Sequence, residues 1–212
     1  MRARIITGAL FGAIFLGTFF LSSIIFSLML LGILIIILAT EWPRFFSYKK
    51  ISFWLITPWY PLMPFCLLML LNSHADYRHL VGIIFLTVFT FDTASYFGGK
   101  FLGTHKLAPR ISPGKTWEGF VCGTLATLAA VIAIVYIENK PFMISKILLV
   151  TACIPVLGLV GDLFESWLKR RVGLKDSGSL LPGHGGFLDR FDGILFVTYF
   201  FYFARHLLAK LL

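Results

Sequence analysis

The chain has 212 residues, 58% of them hydrophobic and 14% charged, with a mean hydropathy of +0.87 and a formal net charge of +9. Soluble domains carry roughly 25% charged residues, so this composition excludes a soluble globular fold, and apolar stretches that do not alternate with polar positions exclude a transmembrane barrel. What remains is an all-α, polytopic integral membrane protein, whose loop lysines and arginines record topology and suit an anionic lipid surface rather than nucleic acid.

Met1-Arg2-Ala3-Arg4 opens like a signal peptide, but the apolar run continues from Ile5 to Thr40, far past a signal's short core. A span needs about 20 residues, so the run is predicted to form a retained hairpin, Ile5 to Leu21 and Ile24 to Thr40, turning near Ser22-Ser23. Further spans are expected at Ser52 to Leu71, Leu80 to Gly98, Thr116 to Ile137, Ser145 to Leu168 and Phe187 to Leu208, about seven helices in all. Pro58, Pro61 and Pro64 predict that the third is kinked or partly interfacial. The pairs Gly8/Gly12 and Gly119/Gly123 suit close helix packing. Cys66, Cys122 and Cys153 are odd in number and sit in apolar runs, which indicates packing rather than disulfides or metal. With no repeat and no soluble segment, the chain reads as one domain, 1–75 supplying N-terminal helices and 76–212 the helices and loops that carry chemistry.

Seven spans put the N-terminus and the loops at 41–51, 99–115 and 169–186 on one side. Thirteen lysines and arginines then fall on that side, against Arg78, Lys140, Lys146, Arg205 and Lys210 on the other. The bias makes the first side cytoplasmic.

Two polar segments on that side could carry chemistry. In the first, Asp162, Glu165, Ser166, Lys169 and Arg170 stand at i, i+3, i+4, i+7 and i+8, on one helical face. A solvated helix end laced with ion pairs would look similar. Asp162, however, follows the apolar run Ile154 to Gly161 and falls at membrane depth, where an acid is functional by default. Asp189 and Asp192 open the last span; helix capping explains one acid there but not Asp189-Arg190-Phe191-Asp192 entering an apolar helix. Asp162 and Asp189, brought together from two helices, would offer hard oxygen ligands suited to Mg²⁺ rather than zinc. Between them, Gly183-His184-Gly185-Gly186 supplies backbone N–H groups able to approach a phosphate, with His184 as a further donor.

The second segment is Ser112-Pro113-Gly114-Lys115-Thr116-Trp117-Glu118-Gly119. Gly114-Lys115-Thr116 is not a P-loop, because Pro109 occupies the position of the required upstream glycine. Ser112 as cap and Pro113 at the first position read as a helix start, from which Lys115 can still reach a phosphate. Asp92 is another intramembrane acid, open between a structural ion pair and a cavity lining.

The stretch Ser166-x-x-Lys169-Arg170-x4-Lys175-Asp176-x-Gly178-x-x-Leu181-Pro182-x-His184-Gly185-Gly186-Phe187-x-Asp189-Arg190-Phe191-Asp192 resembles the signature of the phosphatidate cytidylyltransferases (CDP-diacylglycerol synthases) over 27 residues. Asp92 to Gly99 and His105 to Gly119 also resemble that family, whereas the first 75 residues match only as hydrophobic helices. The resemblance implies an enzyme of the cell (inner) membrane, its site facing the cytoplasm, that joins CTP and phosphatidate into CDP-diacylglycerol and releases pyrophosphate. It implies Mg²⁺ held by Asp162 and Asp189, with a monovalent cation such as K⁺ beside it. Asp162, Asp189, Asp192, Lys169 and Arg170 are the expected catalytic residues; Ser166, Lys175, His184, Gly185, Gly186, Lys115 and Ser112 are expected to bind substrate. A homodimer stays open. The chain departs from the family in being short and in carrying Ala94 where a glycine is common. The CDP-alcohol phosphotransferase pattern is absent, since Asp192-Gly193 lacks the Ala-Arg that should follow. A cation-coupled transporter is the alternative from another class, but the inverted repeats it would favour are not found.

Overall fold

The structure, a computed structural model, describes residues 2–139, 144–181, 183 and 185–212. Helix α1 (Arg2–Leu21) ends where the hairpin reading puts its turn. Ser22 is extended and its hydroxyl accepts from the Ile24 N–H at 3.2 Å, capping α2 (Ser23–Phe45). Helix α2 takes a π-helical turn at Ile37–Glu41. Helix α3 (Ile51–Ser73) bends over Pro58–Leu62, where Tyr60 leaves helical geometry (φ −154°, ψ 112°), as its prolines predict. After His74 come α4 (Ala75–Leu102), a two-stranded hairpin, α5 (Trp117–Ile137), α6 (Ile144–Arg171), α7 (Leu188–Phe203) and α8 (Arg205–Leu211).

Helices α2 to α6 are five that are long and apolar enough to cross a membrane; the bent pair α7–α8 makes a sixth candidate, and α1 holds a shorter apolar stretch, Thr7–Leu21. The class is therefore the expected all-α polytopic one, with five or six such helices rather than a clear seven.

Three expectations need correction. The last span is not one helix to Leu208: the axis turns by 89° at Ala204. Arg205 makes the break tolerable, because its Nη1 donates to the Tyr202 carbonyl at 2.8 Å while its guanidinium stacks on Tyr202 and Tyr77. Nor does Ser112 start a helix. Strand β1 (Lys106–Ala108) pairs antiparallel with β2 (Ser112–Thr116), and it is Thr116 that caps α5, accepting from the Gly119 N–H at 3.1 Å. Gly12 faces open space, so Gly8/Gly12 is no packing seam.

Gly119/Gly123 does let α4 and α5 touch: a Cβ on Gly119 would lie 2.6 Å from the Ser95 carbonyl oxygen, and one on Gly123 2.7 Å from the Phe91 ring. The N-terminal hairpin packs on the rest of the bundle through Phe15, whose ring lies 4.3 Å from Phe85 of α4 and edge-on to Phe26 at 5.0 Å. Phe65 of α3 meets Phe191 of α7 at 5.0 Å. Buried Asn72 ties α3 to α2 by donating to the Ser23 carbonyl and the Ser27 hydroxyl.

Helices α6 and α7 also approach closely. A Cβ on Gly161 would lie 3.0 Å from Gly193 Cα and against the Asp192 carbonyl oxygen. Both obstacles are backbone, so no rotamer change relieves them. Gly161→Ala is expected to lower the thermal unfolding midpoint in detergent, by a cost of about 1–3 kcal/mol for forced overpacking. An unchanged midpoint would mean that the helices separate freely there.

Candidate active site

A cavity of about 600 Å³, within the usual range for small-molecule sites, lies where α4, α5, α6, α7 and the hairpin converge. Asp92, Ser95, Tyr96 and Lys100 line it from α4, Lys106, Ser112 and Lys115 from the hairpin, and Asp162 and Lys169 from α6. Asp176 of the 172–187 loop and Asp189, Arg190 and Asp192 of α7 complete the polar wall. Asp92 thus lines the cavity, one of the two readings its sequence position left open, and it acts electrostatically on Lys115. The segments grouped on one side by charge also meet here. Arg44 reaches the Ser177 carbonyl at 3.4 Å, and Arg170 reaches the Ile111 carbonyl at 3.2 Å.

Acids and ammonium groups alternate around the wall. Lys115 forms an ion pair with Asp162 Oδ2, and Ser166 donates to Asp162 Oδ1 at 3.2 Å. Lys169 stands between two carboxylates, Glu165 Oε2 at 2.6 Å and Asp189 Oδ1 at 2.7 Å. These are the i, i+4 relations read from the sequence, with the partner helix now supplying Asp189. Burial opposes the Lys115 charge, but Asp162 and then Asp92 outweigh it and hold the ammonium above the ordinary lysine value.

Asp189 also organises the loop before it. Its Oδ2 accepts from the Ser177 N–H and hydroxyl, each at 2.9 Å, and from the Gly186 N–H at 2.7 Å. Asp192 accepts from the Gly193 N–H at 2.8 Å. Gly185 has φ +80°, a conformation glycine adopts without strain, and its carbonyl accepts from Leu181 N–H at 3.0 Å, closing the loop on itself.

Comparison with known proteins matches residues 43–208 to the Cytidylyltransferase family. The chain belongs to this family. It is 45% identical over 125 residues to the phosphatidate cytidylyltransferase of Staphylococcus haemolyticus (strain JCSC1435), covering 59% of this chain and 48% of that protein. Its identity to the protein of the same name from Staphylococcus aureus (strain COL) is 40% over 152 residues, 72% of this chain and 58% of the relative. With that of Rickettsia bellii (strain RML369-C) it is 40% over 151 residues, 68% and 65%. The matches therefore span about half to two thirds of the length of these relatives.

Asp162, Lys169, Asp189, Asp192, Lys115 and Ser112 all line the one cavity. Ser166 is buried behind Asp162 as its hydrogen-bond donor. Arg170 does not line the cavity: it is exposed and ties α6 to the hairpin and to the Leu174 carbonyl at 3.0 Å. Lys175 is exposed on the loop, away from the lining. The Gly186 N–H, expected to cradle phosphate, is engaged by Asp189 instead, because the loop turns in toward α7. His184 lies outside the described residues.

Several residues escaped the sequence reading, among them Ser95, Tyr96, Lys100 and Asp176 of the cavity wall. Arg190 and Lys106 line the cavity, and Glu41, fully buried, reaches the 172–187 loop from α2. Glu41 carried a usable signal, an acid closing a long apolar run, which is the rule that singled out Asp162.

Proposed function

We propose that the chain transfers a cytidylyl group from CTP to phosphatidate, giving CDP-diacylglycerol and pyrophosphate at the cytoplasmic face of the cell membrane. The observation that carries this reading is the cavity bordered by α4, α5, α6, α7 and the hairpin, in which Lys115, Lys169, Arg190 and Lys106 stand among Asp92, Asp162, Asp189 and Asp192. Two polyanions must meet there, and such a wall can bind both while rejecting neither. The membrane helices let an acyl-bearing phosphate reach it laterally.

In the reaction, a phosphatidate phosphate oxygen forms a bond to the α-phosphorus of CTP as the bond from that phosphorus to the bridging β-phosphate oxygen breaks. Phosphatidate is largely ionised near neutral pH, so its attack needs no strong general base. Lys115 and Lys169 are assigned to hold phosphate oxygens, each fixed in place by a carboxylate rather than free to swing. Ser166 positions Asp162 and is not a covalent nucleophile.

The acids also suit Mg²⁺. Asp162 and Asp189 already each face an ammonium ion, so both stand in places built for positive charge. Among the described residues no three His, Cys, Asp or Glu side chains form a metal cage. That fits a cation that is usually held by one or two carboxylates plus water and substrate phosphate. Asp162 and Asp189 are the residues proposed to hold it. When bound, Mg²⁺ would neutralise phosphate charge and help orient an in-line displacement.

The test is incubation of detergent-purified protein with cytosine-labelled CTP, phosphatidate and Mg²⁺. Label is expected in the lipid phase, to stop on addition of EDTA and to return with excess Mg²⁺. Cation flux through proteoliposomes without labelled lipid would support the transporter instead.

A further inference from the structure

We infer that Glu41 is a positioning residue for this site, holding the 177–188 segment and the start of α7 so that Asp189 and Lys169 meet. The inference rests on the proposed transfer only for its activity readout. Glu41 is the last residue of the π-helical turn in α2, and such turns re-aim side chains. It is fully buried. Among the described residues no lysine, arginine or histidine forms an ion pair with it. A carboxylate so placed must be satisfied by hydrogen-bond donors.

Those donors belong to the site. Glu41 Oε1 accepts from the Phe187 N–H at 2.7 Å, and Oε2 accepts from the Leu188 N–H at 2.8 Å and the Ser177 hydroxyl at 2.9 Å. Phe187 and Leu188 begin α7, whose own cap residue supplies no side-chain acceptor. Glu41 therefore caps, from a distant helix, the element that carries Asp189 and Asp192. The Ser177 hydroxyl lies 2.9 Å from both Glu41 Oε2 and Asp189 Oδ2. It has one proton, so it can donate to only one of the two acids at a time, and they share it.

The glycines of the loop are shaped around this carboxylate. A Cβ on Gly178 would lie 3.0 Å from Glu41 Oε1, and one on Gly186 would lie 2.6 Å from Glu41 Cδ. Gly178 and Gly186 thus serve the passage of Glu41 under the loop. Glu41 itself lies two positions before the residues matched to the family.

The experiment compares wild type with Glu41→Gln, which keeps the side chain's shape but turns an amide N–H₂ toward N–H and O–H donors. In folded, monodisperse variant, kcat for cytidylyl transfer is expected to fall about a hundredfold, the scale of a small misplacement of reacting groups. KM for CTP and for phosphatidate should each rise by much less than kcat falls, since Lys115, Lys106 and Arg190 of the wall are not held by Glu41. Hydrogen–deuterium exchange should quicken over 177–188 and not elsewhere. Wild-type kcat in the folded variant overturns the inference. So does a loss of activity that only tracks loss of folded protein, with exchange faster in every helix. If Glu41→Gln does not fold, Gly178→Ala carries the test, because its Cβ would meet Glu41 Oε1 at 3.0 Å while the bonds of Asp189 to Ser177 and Gly186 are left in place; a kcat loss in the same direction is expected, and unchanged kcat overturns the inference. Should wild type form no product, the proposed transfer fails, and the exchange pattern alone still decides the role of Glu41.

Discussion

Asp189→Asn is expected to yield folded protein that forms CDP-diacylglycerol at least about a thousandfold more slowly than wild type, the scale of losing a fixed charge at a phosphate-transfer centre. The substitution keeps the shape and one acceptor oxygen. If that oxygen stays with Ser177 and Gly186, the new amide N–H₂ faces the Lys169 ammonium, where Asp189 Oδ1 now accepts at 2.7 Å. Lys169 would keep Glu165 and turn away from the cavity. The fold survives because α7 is still held by Glu41 and by Phe65 against Phe191. The loss should appear in kcat and kcat/KM together, and near-normal turnover by the purified variant would remove Asp189 from the chemistry.

The second large effect is expected at Lys115. Lys115→Met keeps the length of the stem but removes the cation that faces Asp162 and lies within reach of Asp92 and Asp192. Those three acids would then border the cavity with only Lys106 left from the hairpin to offset them, and an incoming triphosphate would be held less well. A fall in kcat/KM of about a hundredfold to a thousandfold is expected, with KM for CTP rising as well as kcat falling. Lys115→Arg should recover part of this, because the charge returns but a planar guanidinium does not replace a compact ammonium. Steady-state kinetics at several CTP concentrations check both variants. A Met variant with wild-type kcat/KM would assign Lys115 to the fold alone, as the clamp between the hairpin and α6.

Much of this site was legible because helical periodicity is local. Asp162, Ser166 and Lys169 are four and three residues apart, and the hydrogen bonds and ion pairs they make follow from that spacing. The charge count likewise grouped loops whose contacts now join them. What was not legible depends on distant contacts or on backbone geometry without a composition cue. The hairpin Ser112-Pro113-Gly114-Lys115-Thr116 has none of the alternation that marks a strand; it is held by pairing with Lys106–Ala108 and by Glu118, which accepts from the Thr104 hydroxyl at 2.7 Å. The break at Ala204 has neither proline nor glycine to announce it and depends on the Arg205 side chain. Gly186 reads as phosphate-binding because the sequence does not show Glu41 beneath it. Arg170 and Lys169 are neighbours in the chain, yet about 100° of helical rotation sends one to the hairpin and the other to the cavity.

In the proposed reaction CTP is cleaved between its α- and β-phosphates, and the α-phosphate passes to a lipid phosphate. This transfer is tested most directly by two parallel reactions of the purified protein with phosphatidate and Mg²⁺, one with CTP labelled at the α-phosphate and one with CTP labelled at the γ-phosphate. The α-label should enter the lipid phase and the γ-label should appear only as pyrophosphate, in equal amounts. Lipid carrying the γ-label, or pyrophosphate released without labelled lipid, would contradict the account.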